Sequence, residues 1–180
     1  MSLRSGIFNS TTVETTDTGL VRGDRAVDAA FLARMFSTFF RNGVAPGEDG
    51  SAFAPTVLEN SMRVRSLPGA CHINGYFAYD DAYETRTFSV SDSDRCAARV
   101  LRLDLGERSI RPLWRSCIRQ DGGLYSEEDG VMLPIRTDDI HDLVTCVVDI
   151  PAGVTALRDD MVTDTRADDT LCGFVKPFGT

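Results

Sequence analysis

A chain of 180 residues is about one domain's worth. Its 42% hydrophobic and 26% charged residues are those of a globular protein that buries a core, which excludes a disordered tail. Twenty-seven acidic against nineteen basic residues give a net charge of −8 and a pI near 4.7. That balance repels phosphate backbones and anionic bilayers, so neither nucleic acid nor a membrane surface is the expected partner.

The first nineteen residues hold no apolar run of signal-peptide length, and no window of about 18 apolar residues occurs anywhere, so no membrane insertion is expected. Residues 1–23 are rich in Thr, Ser and Gly around the pair Ile7-Phe8 and read as an extended arm. From Asp24, a plausible N-cap, the spacing predicts one long amphipathic helix that ends at the Asn42-Gly43 stop. At about 100° per residue, Val27, Phe31, Leu32, Met35, Phe36, Phe39 and Phe40 spread over about 220° of the wheel, against roughly 100° for an ordinary surface helix. Such a rod needs cover on two sides. Either a groove of its own domain supplies both, or one side meets its own domain and the other a neighbouring subunit.

A Gly/Pro/acid loop at 45–55 follows, and then the apolar period changes to two. Residues 61–65 alternate, Pro68-Gly69 makes a turn, and residues 70–80 carry strand formers around Asn74-Gly75, a tight-hairpin dipeptide. Strands are expected again over 85–90, 97–105 and 109–119, with Val100, Leu101, Leu103, Leu105, Ile110 and Trp114 inward. Residues 143–150 form a nearly unbroken apolar run that suits a strand covered on both faces. The expected fold is mainly β (α+β): a β-sandwich or barrel-like domain of short strands over 51–180, preceded over 1–50 by the arm and the helix.

Chemistry-bearing residues are sparse. The five cysteines, at 71, 96, 117, 146 and 172, include no CxxC pair, so a zinc site is not expected and buried free thiols are. His72 adjoins Cys71, but adjacent strand residues point to opposite faces, which separates them as a nucleophile and base. The acids at 138, 139 and 142 around His141 read as a solvated loop. No nucleophile elbow, phosphate loop or calcium-loop spacing occurs, so neither a catalytic residue nor a cofactor is expected. Asp164 and Arg166 share a face of an extended segment, either as a structural ion pair or as an exposed pair of little worth. Tyr76, Tyr79, Tyr83 and Tyr125 are candidate ligand-facing aromatics for a saccharide.

Read in order, several blocks resemble small tail and baseplate proteins of bacteriophages. They are Gly6-Ile7-Phe8-Asn9-Ser10, Arg22-Gly23-Asp24-Arg25, the helix exit Phe39 to Val44, and Asn60-Ser61-Met62-Arg63-Val64. Pro68-Gly69-Ala70, Ile73-Asn74-Gly75-Tyr76-Phe77, Asp149-Ile150-Pro151-Ala152-Gly153, Thr163-Asp164-Thr165-Arg166 and Leu171-Cys172-Gly173 complete the series. The resemblance implies a non-enzymatic virion structural protein, made in the bacterial host cytoplasm and carried in the tail. It implies a homo-oligomer, trimeric by analogy with spikes and fibres, that docks on other tail or baseplate proteins and positions host attachment. Val27, Phe31, Leu32, Met35, Phe36, Phe39 and Phe40 would then form the oligomer interface, and the tyrosines would contact a host-surface saccharide. Two departures stand out: members often carry a bulky aromatic where His72 stands, and many continue into a longer C-terminal region.

Overall fold

The structure is a computed structural model that describes residues 13–15, 21–23 and 29–178. In chain order it contains β1 Val13–Thr15, β2 Val21–Gly23, α1 Ala29–Phe36, β3 Gly43–Val44, β4 Pro55–Val57, β5 Arg63–Ser66 and β6 Gly69–Ile73. There follow β7 Tyr76–Asp80, β8 Glu84–Thr87, β9 Arg95–Asp104, β10 Ser109–Gln120, β11 Gly123–Ser126, β12 Ile140–Ile150, a 3-10 turn at Asp159–Met161, and β13 Val162–Asp164. The protein is mainly β, with every strand pair antiparallel.

A five-stranded sheet, ordered β11-β10-β9-β12-β13, forms the centre. Its alternation divides β9 cleanly: Leu101 and Leu103 face one way, Ala98 and Val100 the other. On the first face, Leu101, Leu103 and Leu143 pack with Cys71 and Ile73 of the sheet β3-β6-β7. Beside them, Val148 and Ile150 pack with Val64 of the sheet β4-β5-β8 and with Leu157 and Met161. The second face carries Val100, Cys117, Leu124, Val144 and Val147, covered by Leu133 and the neighbouring Ile135 and Leu171. Strand β12 is buried along most of its length because β9 and β13 flank it and both faces are packed.

Turn chemistry sets the hairpins. Asn74 and Gly75 take φ of 50° and 86°, and Ile73 pairs with Tyr76 directly across them, a two-residue loop with the primed-turn handedness that matches strand twist. Asp121 and Gly122, at 50° and 76°, do the same between β10 and β11.

The helix departs from expectation. Eight residues are helical where a rod reaching to Asn42 was predicted, and the N-cap Asp24 together with Val27 lies outside the described residues. Its C-terminal end has a local cause. The Ser37 and Thr38 hydroxyls donate to the carbonyls of Arg34 and Met35, and the amides of Thr38 and Phe39 bond three residues back, tightening the last turn. The chain then leaves the axis: Phe40 bridges to Pro177, and the Arg41 amide donates to the Lys176 carbonyl. Phe39 and Phe40 therefore lie beyond the helix, and the 100° wheel does not place them.

The cysteine expectation is also corrected. Cys96 and Cys117 form a disulfide, while Cys71, Cys146 and Cys172 are free and buried. The two are opposite one another in the β9–β10 register, with Cα atoms 4.9 Å apart, within bridging range. Twenty-one residues separate them along the chain, and the β9–β10 hairpin register brings them together.

Candidate functional site

A concavity lies on the outer face of the β3-β6-β7 sheet. Strand pairing sets His72 opposite Phe77 and Ala70 opposite Tyr79, so these four share the face turned away from the core, while Cys71, Ile73, Tyr76 and Ala78 form the other. α1 crosses this outer face at the hairpin end. It comes so close that a Cβ on Gly75 would lie 1.7 Å from the Ala33 carbonyl oxygen, and Ala33 is the buried residue of the helix. Asn42 locks the arrangement: its Oδ1 accepts from the Asn74 amide at 2.7 Å and its Nδ2 donates to Asn74 Oδ1 at 2.8 Å.

Between helix, sheet and C-terminal segment runs a groove of about 640 Å³. Leu32 and Phe36 form one wall, Phe40 and Val175 another, and His72 and Phe77 of the outer face lie along the sheet side, with Tyr76 of the core face reaching its edge. Phe77 is 66% exposed, and Phe36 and Phe40 are also exposed, as are Phe39 and Phe178, whose backbones are joined by a hydrogen bond. Apolar side chains this open to water, grouped on one side, are the kind of patch that marks a contact surface.

His72 is the polar exception in the wall. It is 7% exposed, the Phe40 ring stands edge-on to it with centroids 6.0 Å apart, and its Nδ1 lies 3.4 Å from the Arg41 carbonyl oxygen. Nε2 is buried with no hydrogen-bond partner among the described residues. Burial pulls the imidazole pKa below its ordinary value, only partly opposed by the Arg41 carbonyl, so the neutral form is favoured.

Of the seven expected interface residues, Leu32, Phe36 and Phe40 line the groove, Phe31 and Met35 are half-buried on α1, Phe39 is exposed in the turn after it, and Val27 lies outside the described residues. The tyrosines divide. Tyr79 and Tyr83 are 74% and 62% exposed, whereas Tyr76 packs against the core and Tyr125 is half-buried on β11. Tyr79 lies near Phe77, ring centroids 6.4 Å apart, and the Arg65 guanidinium sits 5.2 Å over Tyr83.

Asp164 and Arg166 meet as a bidentate pair, Nε to Oδ1 at 3.0 Å and Nη2 to Oδ2 at 2.7 Å. The nearly buried guanidinium also donates through Nη1 to the carbonyls of Gly50 and Ala52, both at 2.7 Å, so the pair ties the 45–55 loop to the C-terminal segment. In the acidic stretch, Asp142 is fully buried and takes Arg102 in a fork at 2.8 and 2.9 Å, while His141 accepts from Asn42. Those groups are engaged in holding the fold together.

Sequence reasoning missed Phe77 and the groove role of His72. The signal was present in the alternation of 70, 72, 77 and 79 about the Asn74-Gly75 turn, which sets all four on one face. What the sequence could not show is that α1 covers only part of that face. No protein-family model, curated protein or solved structure matches this chain.

Proposed function

We propose that the protein is a non-enzymatic structural subunit of a phage tail tip or baseplate, assembling as a homo-oligomer, with a trimer favoured, and positioning host adhesion. The observation that carries this reading is the apolar groove with its open phenylalanines, Phe36, Phe40 and Phe77, on one side of an otherwise charged chain. The ordered series of motifs from the arm to Leu171-Cys172-Gly173 supports it. The packing of the central sheet against two smaller ones is read as a sandwich, a rigid mount rather than a reaction vessel. Other tail proteins and neighbouring copies are the partners in this account, the host cytoplasm is the place of synthesis, and the virion tail is the destination.

The test is location. Particles purified from a host producing this phage should contain the chain, and gold-labelled antibody should mark the tail tip. A chain confined to the lysate and absent from particles contradicts the reading. A second reading, a carbohydrate-binding host-recognition module, is favoured by one observation, the exposure of Tyr79 and Tyr83 near the end of β7. Binding on a glycan array that Tyr79→Ala abolishes supports it; no binding by the folded oligomer rules it out.

A further inference from the structure

Taking the groove as an interface, which rests on the reading above, we propose that it receives a tyrosine or tryptophan side chain from a partner polypeptide, whose O–H or N–H donates to His72 Nε2. The argument begins with the proton on the imidazole. Nδ1 faces the Arg41 carbonyl, a carbonyl can only accept, and so Nδ1 carries the hydrogen. In the neutral ring Nε2 is then a lone-pair acceptor, and it is buried without a partner among the described residues. Buried acceptors are nearly always paired, and an unpaired one penalises the empty groove.

The rest of the wall narrows the occupant. Leu32, Phe36, Phe40 and Phe77 offer only apolar surface. An aliphatic knob would cover the orphaned acceptor without satisfying it, a carboxylate would oppose its lone pair, and an ammonium group would be stripped of water against hydrocarbon. An aromatic ring ending in one donor satisfies both requirements, because it stacks or sits edge-on against phenylalanines and brings one hydrogen to the nitrogen. Tyrosine and tryptophan are also the anchors most often found at such contacts. To admit the donor, the Phe40 ring beside the imidazole must turn aside, a rotamer change of the kind that commonly accompanies docking.

The experiment uses the whole protein with 15N-labelled histidine, titrated with phenol and, separately, toluene, which has similar shape and no donor. Phenol should move the His72 Nε2 resonance saturably and bind at least about ten-fold more tightly than toluene, which should leave that resonance in place. His72→Phe should erase the preference while toluene still binds, showing that the groove persists. Phe40→Ala should tighten phenol binding. Equal affinities for the two probes, an Nε2 signal that phenol does not move, or an Nε2 already hydrogen-bonded to water before phenol is added overturns the proposal. Particle-borne protein without phenol selectivity sinks this inference alone, and selective protein absent from particles sinks the tail reading alone.

Discussion

Glu84 uses both carboxylate oxygens to hold a cross-strand pair: Oε2 accepts from Arg99 Nε at 2.8 Å and Oε1 from Trp114 Nε1 at 3.0 Å. Arg99 and Trp114 are directly opposed on β9 and β10, so one acid on β8 fastens the small β4-β5-β8 sheet to the central one. Arg99 is 1% exposed and has a second tie, from Nη1 to the hydroxyl of Thr145 at 3.1 Å. Thr145 is the extra residue of a β-bulge, since Val144 pairs with Val100 and Cys146 with Arg99. The bulge turns the hydroxyl toward the guanidinium.

Removing one partner of such a pair strands a buried charge. Glu84→Ala should therefore cost about 3 kcal/mol or more in denaturant unfolding. Replacing Arg99 by Met together with Glu84→Gln should cost much less than the single change, because no charge is left unpaired. Equal losses for the single and double variants contradict this assignment.

Much of this was legible beforehand, for stated reasons. The strand periods around 61–65, 70–80, 97–105, 109–119 and 143–150 come from local alternation and turn residues, which a linear sequence records. The helix end was legible only in part: Ser37 and Thr38 close the last turn through local hydroxyl–carbonyl bonds, whereas the tie of Phe40 to Pro177 that draws the following residues off the axis is a contact across the chain. The disulfide lay within reach: a hairpin turning at 105–108 sets 104 opposite 109 and, by the same count, 96 opposite 117. The pairing shows in the strand register and not in the cysteine spacing. The groove needed tertiary knowledge of how far α1 covers the sheet.

The cysteines divide chemically as well. Burial pushes the thiols of Cys71, Cys146 and Cys172 up to about 12, so in the folded protein none should react with a thiol reagent near pH 8. Unfolding without reductant should expose three reactive thiols, and unfolding with reductant five. Reducing the Cys96–Cys117 bond should lower stability by about 3 kcal/mol, from the 21-residue separation it closes. Five reactive thiols without reductant would refute the bond.

Acid should weaken the fold from a defined point. Burial lowers the pKa of His72, and burial together with the Arg136 charge lowers that of His141 against the opposing pull of Asp142. The unfolded chain, with ordinary histidines near 6.5, then takes up protons that the folded chain refuses. The stabilisation is present above pH about 6.5 and is lost as pH falls through the folded values. Denaturation midpoints measured from pH 7.5 down to 5 should decline, and His72→Phe should flatten part of that decline. A midpoint that rises on acidification contradicts the burial of His72 and the partial burial of His141.

The seat of α1 depends on a missing side chain. Gly75→Ala would force a Cβ into the Ala33 carbonyl and strain a residue held at φ 86°. Loss of the helix seat, with a stability decrease of about 2 kcal/mol or more, is expected from that clash. The variant should also open the groove wall, visible as faster amide exchange at residues 33–37. Unchanged exchange there would mean that the helix is held elsewhere.

Arg166→Ala should release the 45–55 loop, because two carbonyls and a carboxylate lose their donor at once. A cost of about 2 to 3 kcal/mol is expected, together with proteolytic cutting near Gly47 or Gly50. Arg166→Lys should recover only part of it, since an ammonium cannot make the same fork. A protease-resistant Ala variant would contradict the tie.

Sedimentation equilibrium of the full chain at micromolar concentration, beside Phe36→Asp, bears most directly on the surface that organises this account. The wild type should sediment at a multiple of its 19.7 kDa chain mass, with three copies favoured, and the variant should fall to a single folded copy. A wild type that stays at 19.7 kDa, or a variant whose mass equals that of an oligomeric wild type, would contradict it.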